Sequence, residues 1–328
     1  MKKIIIISGD PNSINSEIIF KSWKKLSKTV KKKIYLISNY KLLKEQFKIL
    51  GYKAPIEKVN DINEFNNTNL KVINVDLKFK KPFKVNATSA SKFIMDSLNL
   101  GHKLALDKKR VLGLINCSID KKHLRNKYRG VTEYFAGKCK TGNSEVMLIR
   151  NEKLSVSPIT THINVKKISK NIDKLKIIKK VKLINFWFQK ICKKKPNIAV
   201  LGLNPHNAEL RNSSEEKKII IPAIFRLKKM GIKVKGPMVA DTIFINNFKK
   251  FDVIVGMYHD QVIAPFKTLY KFNAINITLG LTYLRISPDH GTAKDIICKK
   301  KANPLSLLKC INTVLNIGWK IIQKNLLD

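Results

Sequence analysis

The stretch that decides the fold is residues 251–292, which read FDVIVGMYHDQVIAPFKTLYKFNAINITLGLTYLRISPDHGT. Its beginning, residues 251–257, is mostly apolar, and a short apolar run of this kind predicts a buried β-strand. Polar side chains follow at once, beginning with Tyr258, His259 and Asp260. In an α/β protein, side chains at the carboxyl ends of parallel strands face the crevice that binds ligands. The stretch therefore predicts a buried strand that leads into a ligand site.

The first third of the chain alternates short apolar runs with segments of helical spacing. Strands are predicted at 3–9, 33–38, 71–75 and 111–117. Helices are predicted from Ser16 onward, at 39–50 and at 88–106. Repeated alternation of strand and helix predicts a parallel sheet that is covered by helices.

The pattern then changes to a hairpin, which is followed by further helices and strands. The hairpin is predicted at 146–150 and 154–163, around the polar residues 151–153. The later elements are a helix at 168–192, a strand at 197–203, a helix that begins at the capping box 213–216, and a final helix at 304–324. We predict an α/β protein of two domains, the first formed by 1–131 with 305–328 and the second by 132–304.

The composition describes a basic chain with no apolar run of the ~18 residues that a membrane span needs. Lys and Arg together number 65 and Asp and Glu 23, which gives a net charge of +42. Only seven of the basic residues are arginine, and the lysines lie along the whole chain, which argues against a nucleic-acid-binding face. Five cysteines without a CxxC pair fit a reducing cytoplasm. We predict a cytoplasmic protein with no nucleic-acid or membrane partner, whose charge favours an anionic substrate.

Three of the six histidines follow the ends of predicted strands, at His162, His206 and His259. Residues far apart in sequence can meet at the carboxyl edge of a parallel sheet, because the strand ends gather there. Three neutral imidazoles with an open fourth position form a catalytic type of divalent metal site. Each histidine alone is more often a hydrogen-bonded strand-end residue, and there is no short ligand motif, so both interpretations stay open at this point.

Candidate anion-binding groups accompany these histidines. They are Lys267, Arg285 and the turn 130–133, which opens a short helix. A helix N-terminus and the hydroxyl of Thr132 can hold a phosphate, and Lys and Arg add charge-assisted hydrogen bonds. A surface role remains the alternative for Lys267, one of many lysines. Arg285 carries more weight because arginine is scarce in this chain and the surrounding segment is apolar.

Short motifs in a defined order extend over nearly the whole chain. They occupy 9–11 (GDP), 130–133 (GVTE), 161–163 (THI), 202–206 (GLNPH), 236–237 with 240–242, 257–261 (MYHDQ), 276–281 and 289–293 (DHGTA). In this order they resemble the 4-hydroxythreonine-4-phosphate dehydrogenase (PdxA) family of vitamin B6 biosynthesis. The HGTA run and the segment 302–304 also resemble the cofactor loop of isopropylmalate and isocitrate dehydrogenases, the wider superfamily.

The resemblance implies a fold and a reaction. The fold is two αβα domains with largely parallel sheets and a cleft between them, as in isocitrate and isopropylmalate dehydrogenases. The protein is expected to be a homodimer with its active site at the subunit interface. The reaction is oxidation of 4-phosphohydroxy-L-threonine at its 3-hydroxyl, with decarboxylation to 3-amino-2-oxopropyl phosphate, in the synthesis of pyridoxal 5'-phosphate. The cofactors are NAD, with NADP as the alternative, and a divalent metal ion, either Zn, Mg or Co.

The resemblance also implies roles for individual residues of this chain. The metal ligands are His162, His206 and His259. The substrate-binding residues are Thr132, Lys267, Asn276 and Arg285. The cofactor-binding residues are His290, Gly291, Thr292, Ala293 and Asn303. Two carboxylates, Asp241 and Asp260, are the candidates to orient the histidines or to relay protons.

The chain departs from the family pattern at three places. Residues 12–16 replace a glycine-containing turn, Val131 replaces a histidine, and 207–211 replace a glycine-rich segment. Loss of a phosphate-side histidine weakens binding by about 1–3 kcal/mol or shifts substrate preference. Three alternatives stay open: a dehydrogenase for another phosphorylated four-carbon hydroxy acid, a catalytically silent homologue, and a basic nucleic-acid-binding protein.

Overall fold

The computed structural model describes residues 1–64, 67–124, 128, 130–142 and 144–324. The chain forms two compact units. Unit 1 comprises Met1–Cys139 and Thr282–Asp328, and unit 2 comprises Lys140–Leu281. Strands and helices alternate in both units, which confirms the predicted α/β class.

The strands are short, and most of their residues are buried. In chain order they are β1 (Lys3–Ile7), β2 (Ile34–Ser38), β3 (Ile56–Val59), β4 (Leu70–Asn74), β5 (Val111–Asn116), β6 (Val146–Arg150), β7 (Ser155–Pro158), β8 (Ile198–Leu201), β9 (Val234–Met238), β10 (Val253–Gly256), β11 (Ile275–Leu279) and β12 (Arg285–Pro288).

The α-helices range from single turns to 20 residues. In chain order they are α1 (Asn15–Lys25), α2 (Lys28–Lys31), α3 (Tyr40–Leu50), α4 (Ala87–Ala105), α5 (Val131–Lys138), α6 (Ile168–Asn171), α7 (Lys174–Ile191), α8 (Ile221–Lys229), α9 (Ala240–Thr242), α10 (His259–Tyr270) and α11 (Leu305–Lys324). No helix among the residues described above is long and apolar enough to cross a membrane.

The sheet of unit 1 is entirely parallel, in the order β3-β4-β2-β1-β5-β12. Its central strand is a run of isoleucines, of which Ile4, Ile5 and Ile7 have no exposed surface. A continuous apolar run is what a parallel strand needs, because helices cover both of its faces. Burying each such side chain contributes roughly 1.5–3 kcal/mol to folding.

The strands of unit 2 follow the order β11-β6-β7-β10-β8-β9. β6 is antiparallel to both of its neighbours, and β7, β10, β8 and β9 are parallel. The predicted hairpin is therefore confirmed as β6 and β7, and Asn151 stabilises its turn by accepting from the backbone N–H groups of Lys153 and Leu154 at 2.9 Å. The parallel arrangement brings the carboxyl ends of β7, β10 and β8 to one edge of the sheet.

Among the elements that differ from their sequence-based predictions are one helix and one edge strand. The single helix predicted at 168–192 is divided into α6 and α7, because Asp173 is extended and its side chain caps α7 by accepting from Lys176 N at 2.7 Å. β3 was not predicted. Only Val59 of this edge strand is buried, so its sequence lacks the apolar run that marks the other strands.

The units also differ from the predicted domain boundaries. The prediction placed 132–139 and 282–304 in the second domain, whereas both segments belong to unit 1. β12 pairs in parallel with β5, with Arg285 opposite Leu114. Within the same unit, the hydroxyl of Tyr134 on α5 donates to Asn99 Oδ1 on α4 at 2.6 Å. These contacts account for the difference.

Candidate active site

The three predicted metal ligands follow three neighbouring parallel strands of unit 2. His162 follows β7, His259 begins α10 three positions after the end of β10, and His206 follows β8. The sequence-based expectation that these residues lie at strand ends is thus met by the chain's own topology. The ligand role itself stays a prediction.

Two of these histidines are neighbours. The ring centroids of His162 and His259 are 5.6 Å apart, with 39° between the ring planes. Two imidazoles on one tetrahedral ion at about 2.1 Å have centroids roughly 5 Å apart, so the pair fits two ligands of one metal. Nδ1 of His259 lies 2.6 Å from Asp260 Oδ1, which leaves Nε2 of that ring for a ligand role.

His206 occupies an unusual backbone segment and is exposed. The five residues 206–210 all have left-handed φ angles between 47° and 57°. A run of non-glycine residues in this region is strained, at about 1–3 kcal/mol for each residue, and such strain occurs mostly at functional sites. Over the described part of the chain, no three His, Cys, Asp or Glu side chains are grouped closely enough to hold a metal ion. One chain therefore brings two of the three predicted ligands together.

The segment that leads to His206 is fixed by Glu216, a residue that the sequence suggested only as part of a capping box. Glu216 is fully buried, and its Oε1 accepts from Leu203 N at 2.7 Å and from Asn204 N at 2.8 Å. Burial raises the pKa of Glu216, but hydrogen bonds from Asn204 and Leu203 outweigh it and hold the pKa below its ordinary value of 4.5. The helix start is capped instead by Ser214, whose Oγ accepts from Lys217 N at 3.3 Å.

Lys267 and Asn276 are the two predicted substrate ligands of unit 2. Lys267 is half-buried on α10, and Asn276 is half-buried on β11. The Oδ1 atom of Asn276 is buried and accepts no hydrogen bond from any described residue. A buried amide oxygen of this kind costs free energy unless a ligand or water satisfies it, which fits a binding role.

The other two predicted substrate ligands, Thr132 and Arg285, meet in unit 1. Arg285 is 2% exposed, and it donates from Nε to Asn116 Oδ1 at 2.7 Å and from Nη1 to Thr132 Oγ1 at 3.1 Å. Burial lowers the pKa of Arg285 to about 10, so the guanidinium is still charged at neutral pH. Sequence reasoning missed Asn116, although it is a polar residue at the end of an apolar strand, the same signal that identified the histidines.

The predicted cofactor residues form two segments of unit 1. In the first, Nδ1 of His290 lies 2.9 Å from Gly291 O, Thr292 O accepts from Ile14 N at 3.2 Å, and Ala293 has a φ of 44°. In the second, Asn303 Oδ1 accepts from Leu305 N at 2.9 Å at the start of α11. The predicted cofactor residues of both segments are exposed or half-exposed, which suits cofactor contacts.

An ion pair between the half-buried Lys21 and the buried Glu17 holds the second predicted cofactor segment against α1. Glu17 Oε1 accepts from Lys21 Nζ at 2.6 Å and from Ala302 N at 2.9 Å. Lys21 Nζ also donates to the carbonyl oxygens of Lys300 and Ala302. Charge-assisted bonds of this kind fix the backbone directly before Asn303.

The turn that replaces the family's glycines is closed by its own side chains. Asn12 exchanges two hydrogen bonds with the backbone of Val85, both of 2.8 Å. Asn15 donates to Ser118 O and accepts from Ser118 Oγ, both at 2.8 Å. Side-chain hydrogen bonds to Val85 and Ser118 therefore hold the turn at residues 12–16 in place.

The two candidate carboxylates occupy different settings in unit 2. The side chain of Asp260 is 82% exposed and contacts His259. Asp241 is exposed on α9, which packs against Pro205–Leu210, the segment that carries His206. Each carboxylate thus lies near an element that carries one of the histidines, and Asp260 has a direct hydrogen bond.

Curated relatives match almost the full length of this chain. A 4-hydroxythreonine-4-phosphate dehydrogenase of Sulfurihydrogenibium sp. is 37% identical over 324 residues, covering 96% of this chain and 98% of that protein. A putative D-threonate 4-phosphate dehydrogenase of Oceanobacillus iheyensis is 30% identical over 327 residues, covering 95% and 97%. The chain is thus similar to dehydrogenases that are named for two different phosphorylated acids.

Solved structures give the same picture of the fold. The 4-hydroxythreonine-4-phosphate dehydrogenase of Klebsiella pneumoniae superposes with a TM-score of 0.83 at 28% identity, covering 97% of this chain and 98% of that chain. The isocitrate dehydrogenase of Methylococcus capsulatus, at 12% identity and a TM-score of 0.50 over 96% and 85%, confirms only the predicted fold. The model of the family described as pyridoxal phosphate biosynthetic protein PdxA matches residues 30–314. The chain therefore belongs to the PdxA family.

Proposed function

We propose that this protein is an NAD-dependent, divalent-metal-dependent 4-hydroxythreonine-4-phosphate dehydrogenase of the cytoplasm. It oxidises the substrate at the 3-hydroxyl with loss of carbon dioxide, in the synthesis of pyridoxal 5'-phosphate. The observation that carries the proposal is the pairing of His162 with His259, 5.6 Å apart at adjacent strand ends, in a chain of the PdxA family. Family membership also disfavours the nucleic-acid-binding alternative.

The proposed metal ligands are His162, His206 and His259. A divalent ion held by these imidazoles would supply Lewis acidity for loss of the hydroxyl proton and of carbon dioxide, and bound NAD would supply the hydride acceptor. Asp260 holds the His259 ring through Nδ1, and so selects the tautomer that presents Nε2. Because only two of the three imidazoles meet in one chain, we propose a homodimer in which His206 of a second copy completes each site.

The proposed substrate residues act by binding and positioning. Arg285 is charged, buried and held by two neutral acceptors, so its guanidinium can bind phosphate without having to be ordered first. Thr132 lies at the N-terminal turn of α5, where backbone N–H groups favour an anion. Lys267 adds charge, and the buried Asn276 amide offers an acceptor. Binding energy from the phosphate then positions the carbon that reacts.

A direct assay tests this proposal. Purified protein is mixed with NAD and 4-phosphohydroxy-L-threonine, and NADH formation is followed with and without a chelator. We expect turnover that the chelator abolishes and that added metal restores. Turnover that persists in the chelator would contradict the proposed metal dependence. Absence of NADH formation with each metal ion added would contradict the proposed dehydrogenase activity.

A second candidate substrate is D-threonate 4-phosphate, which carries a hydroxyl where hydroxythreonine phosphate carries an amine. Val131, in place of the family's histidine, and the 30% identical relative named for that acid favour this candidate. The same assay with both acids decides between them. A higher kcat/KM for D-threonate 4-phosphate would make that acid the preferred substrate and would leave the proposed oxidation and decarboxylation unchanged.

A further inference from the structure

The backbone segments that carry the three histidines of unit 2 are joined by side chains that have no assigned role. Gln261, two residues after His259, bridges the ends of β10 and β8. Its Oε1 accepts from Met257 N at 2.7 Å, and its Nε2 donates to Gly202 O at 2.7 Å. One amide thus ties the backbone before His259 to the backbone before His206.

Glycine makes room for this bridge. A Cβ added at Gly256 would lie 3.0 Å from Gln261 Oε1 and 2.6 Å from Val262 Cγ1. A side chain at this position would therefore displace the start of α10 and the amide that reaches Met257. The Gln261 bridge therefore depends on a glycine at position 256.

Thr160, which follows β7, connects the end of that strand to Met257, the residue that Gln261 also contacts. Its Oγ1 donates to Met257 O at 2.7 Å, and its backbone N–H donates to the same oxygen at 3.1 Å. Thr160 is 5% exposed and lies two residues before His162, just as Met257 lies two residues before His259. The two neighbouring histidines therefore leave the sheet from backbones that are bonded directly to each other.

Glu216 extends the hydrogen-bond network past Gly202 toward His206. Glu216 binds the next two backbone N–H groups, those of Leu203 and Asn204. Continuous hydrogen bonds thus connect Thr160, Met257, Gln261, Gly202 and, through the adjoining backbone, Glu216. A rotation of one strand end would break bonds at the others, so the three ends are fixed relative to one another.

We propose that Gln261 and Thr160 are positioning residues for the proposed metal site, because they fix the strand ends from which His162 and His259 reach one ion and His206 reaches the ion of the second copy. This inference rests on the proposed metal site. Partners that hold ligands in place typically change metal affinity by about 10–100-fold when they are removed. A role in folding alone would lower stability without changing affinity in this way.

The test uses Co²⁺ binding, measured by competition with a chromophoric chelator, on the full-length protein. We expect Gln261→Leu to bind Co²⁺ about 10–100-fold more weakly than the unaltered protein. Gln189→Leu makes the same chemical change on the exposed face of α7 and is expected to leave affinity unchanged. Thr160→Val removes only the hydroxyl, keeps the N–H bond to Met257, and is expected to weaken binding by a smaller factor.

Thermal unfolding in excess chelator separates positioning from folding. Unaltered Co²⁺ affinity in both Gln261→Leu and Thr160→Val would overturn the inference. It would also be overturned if both variants melted far below the unaltered metal-free protein and the fully folded fraction bound Co²⁺ normally. Failure of the proposed metal site has a different signature, because His259→Ala would then bind Co²⁺ as well as the unaltered protein does.

Discussion

Arg285 of unit 1 and His259 of unit 2 are both proposed to bind ligands, but the chain places them by different means. Arg285 is 2% exposed and is held by the side chains of Asn116 and Thr132 in its own unit. The side chain of His259 is 35% exposed, and the carboxylate that orients it is 82% exposed. The proposed anion-binding group is thus buried and held within one chain, whereas the histidine pair is partly exposed.

The difference follows from what each group is proposed to bind. A guanidinium that must hold a phosphate benefits from a fixed direction and a dry setting, where charge-assisted bonds are strong. A metal ion needs several ligands that converge on it, and a second copy of the chain can supply the ligand that one chain lacks. Changes at Arg285 should therefore alter substrate binding alone, and changes at the histidines should alter metal content first.

The largest effect is expected from His259→Ala. Loss of one of three imidazoles removes the metal, and turnover falls by at least about 100-fold. Metal analysis after dialysis, alongside the NADH assay, measures both quantities. His102→Ala, a histidine of α4 that bonds to Tyr283, is the matched control and should keep the metal. Equal metal content in His259→Ala and His102→Ala would show that His259 is not a metal ligand.

A smaller effect is expected from Arg285→Lys. Lysine keeps the charge but loses the planar fork that contacts Asn116 and Thr132, so kcat/KM for the phosphorylated substrate falls roughly 10–100-fold. Metal content should not change. Arg226→Lys, on the exposed face of α8, is the control and should have no effect. A loss of metal in Arg285→Lys would contradict the prediction that Arg285 affects substrate binding and not metal binding.

Asn116→Ala tests how Arg285 is held. Removing the acceptor of the Nε–H bond leaves a buried donor without that partner, and the free energy of unfolding falls by about 1–3 kcal/mol. Urea unfolding measures the change. Asn247→Ala, at an exposed position, should stay within about 0.5 kcal/mol of the unaltered protein. Equal stability of the two variants would show that Asn116 does not support the guanidinium.

The smallest effect is expected from Glu216→Gln, and it depends on pH. The folded-state pKa of Glu216 is lowered, so the unfolded chain binds more protons, and its stabilisation is present above pH 4.5 and lost as pH falls through the folded pKa. Urea unfolding between neutral pH and the acid range should show a shallower acid loss in Glu216→Gln than in the unaltered protein. If the free energy of unfolding depended on pH equally in both proteins, the loss of stability in acid would come from other carboxylates.

The sequence was sufficient for features that depend on local pattern. Apolar runs identified most strands, and polar residues directly after them identified the three histidines at neighbouring strand ends. The partners of these residues were missed, because hydrogen bonds between distant segments leave no local pattern. Asn116 and Arg285 are 169 positions apart, and Glu216 was interpreted as a cap for its own helix rather than for the segment before His206.

The bounds of unit 2 differ from those of the second predicted domain for the same reason. Residues 282–304 follow unit 2 in the chain, but β12 pairs with β5, a strand far earlier in the sequence. Pairing over this distance depends on the whole sheet rather than on the composition of either strand. Residues 1–131 and α11 lie in unit 1, where the prediction placed them.

Mixing two inactive variants tests most directly the claim that two copies complete the histidine site. His206→Ala and His259→Ala are each expected to be inactive, but after joint unfolding and refolding half of the dimers contain one chain of each. One of the two sites in such a dimer has all three histidines, so about a quarter of the unaltered activity should return. His162→Ala mixed with His259→Ala, whose lost ligands come from the same chain, should stay inactive. Absence of activity in the first mixture, with dimers present, would contradict the account.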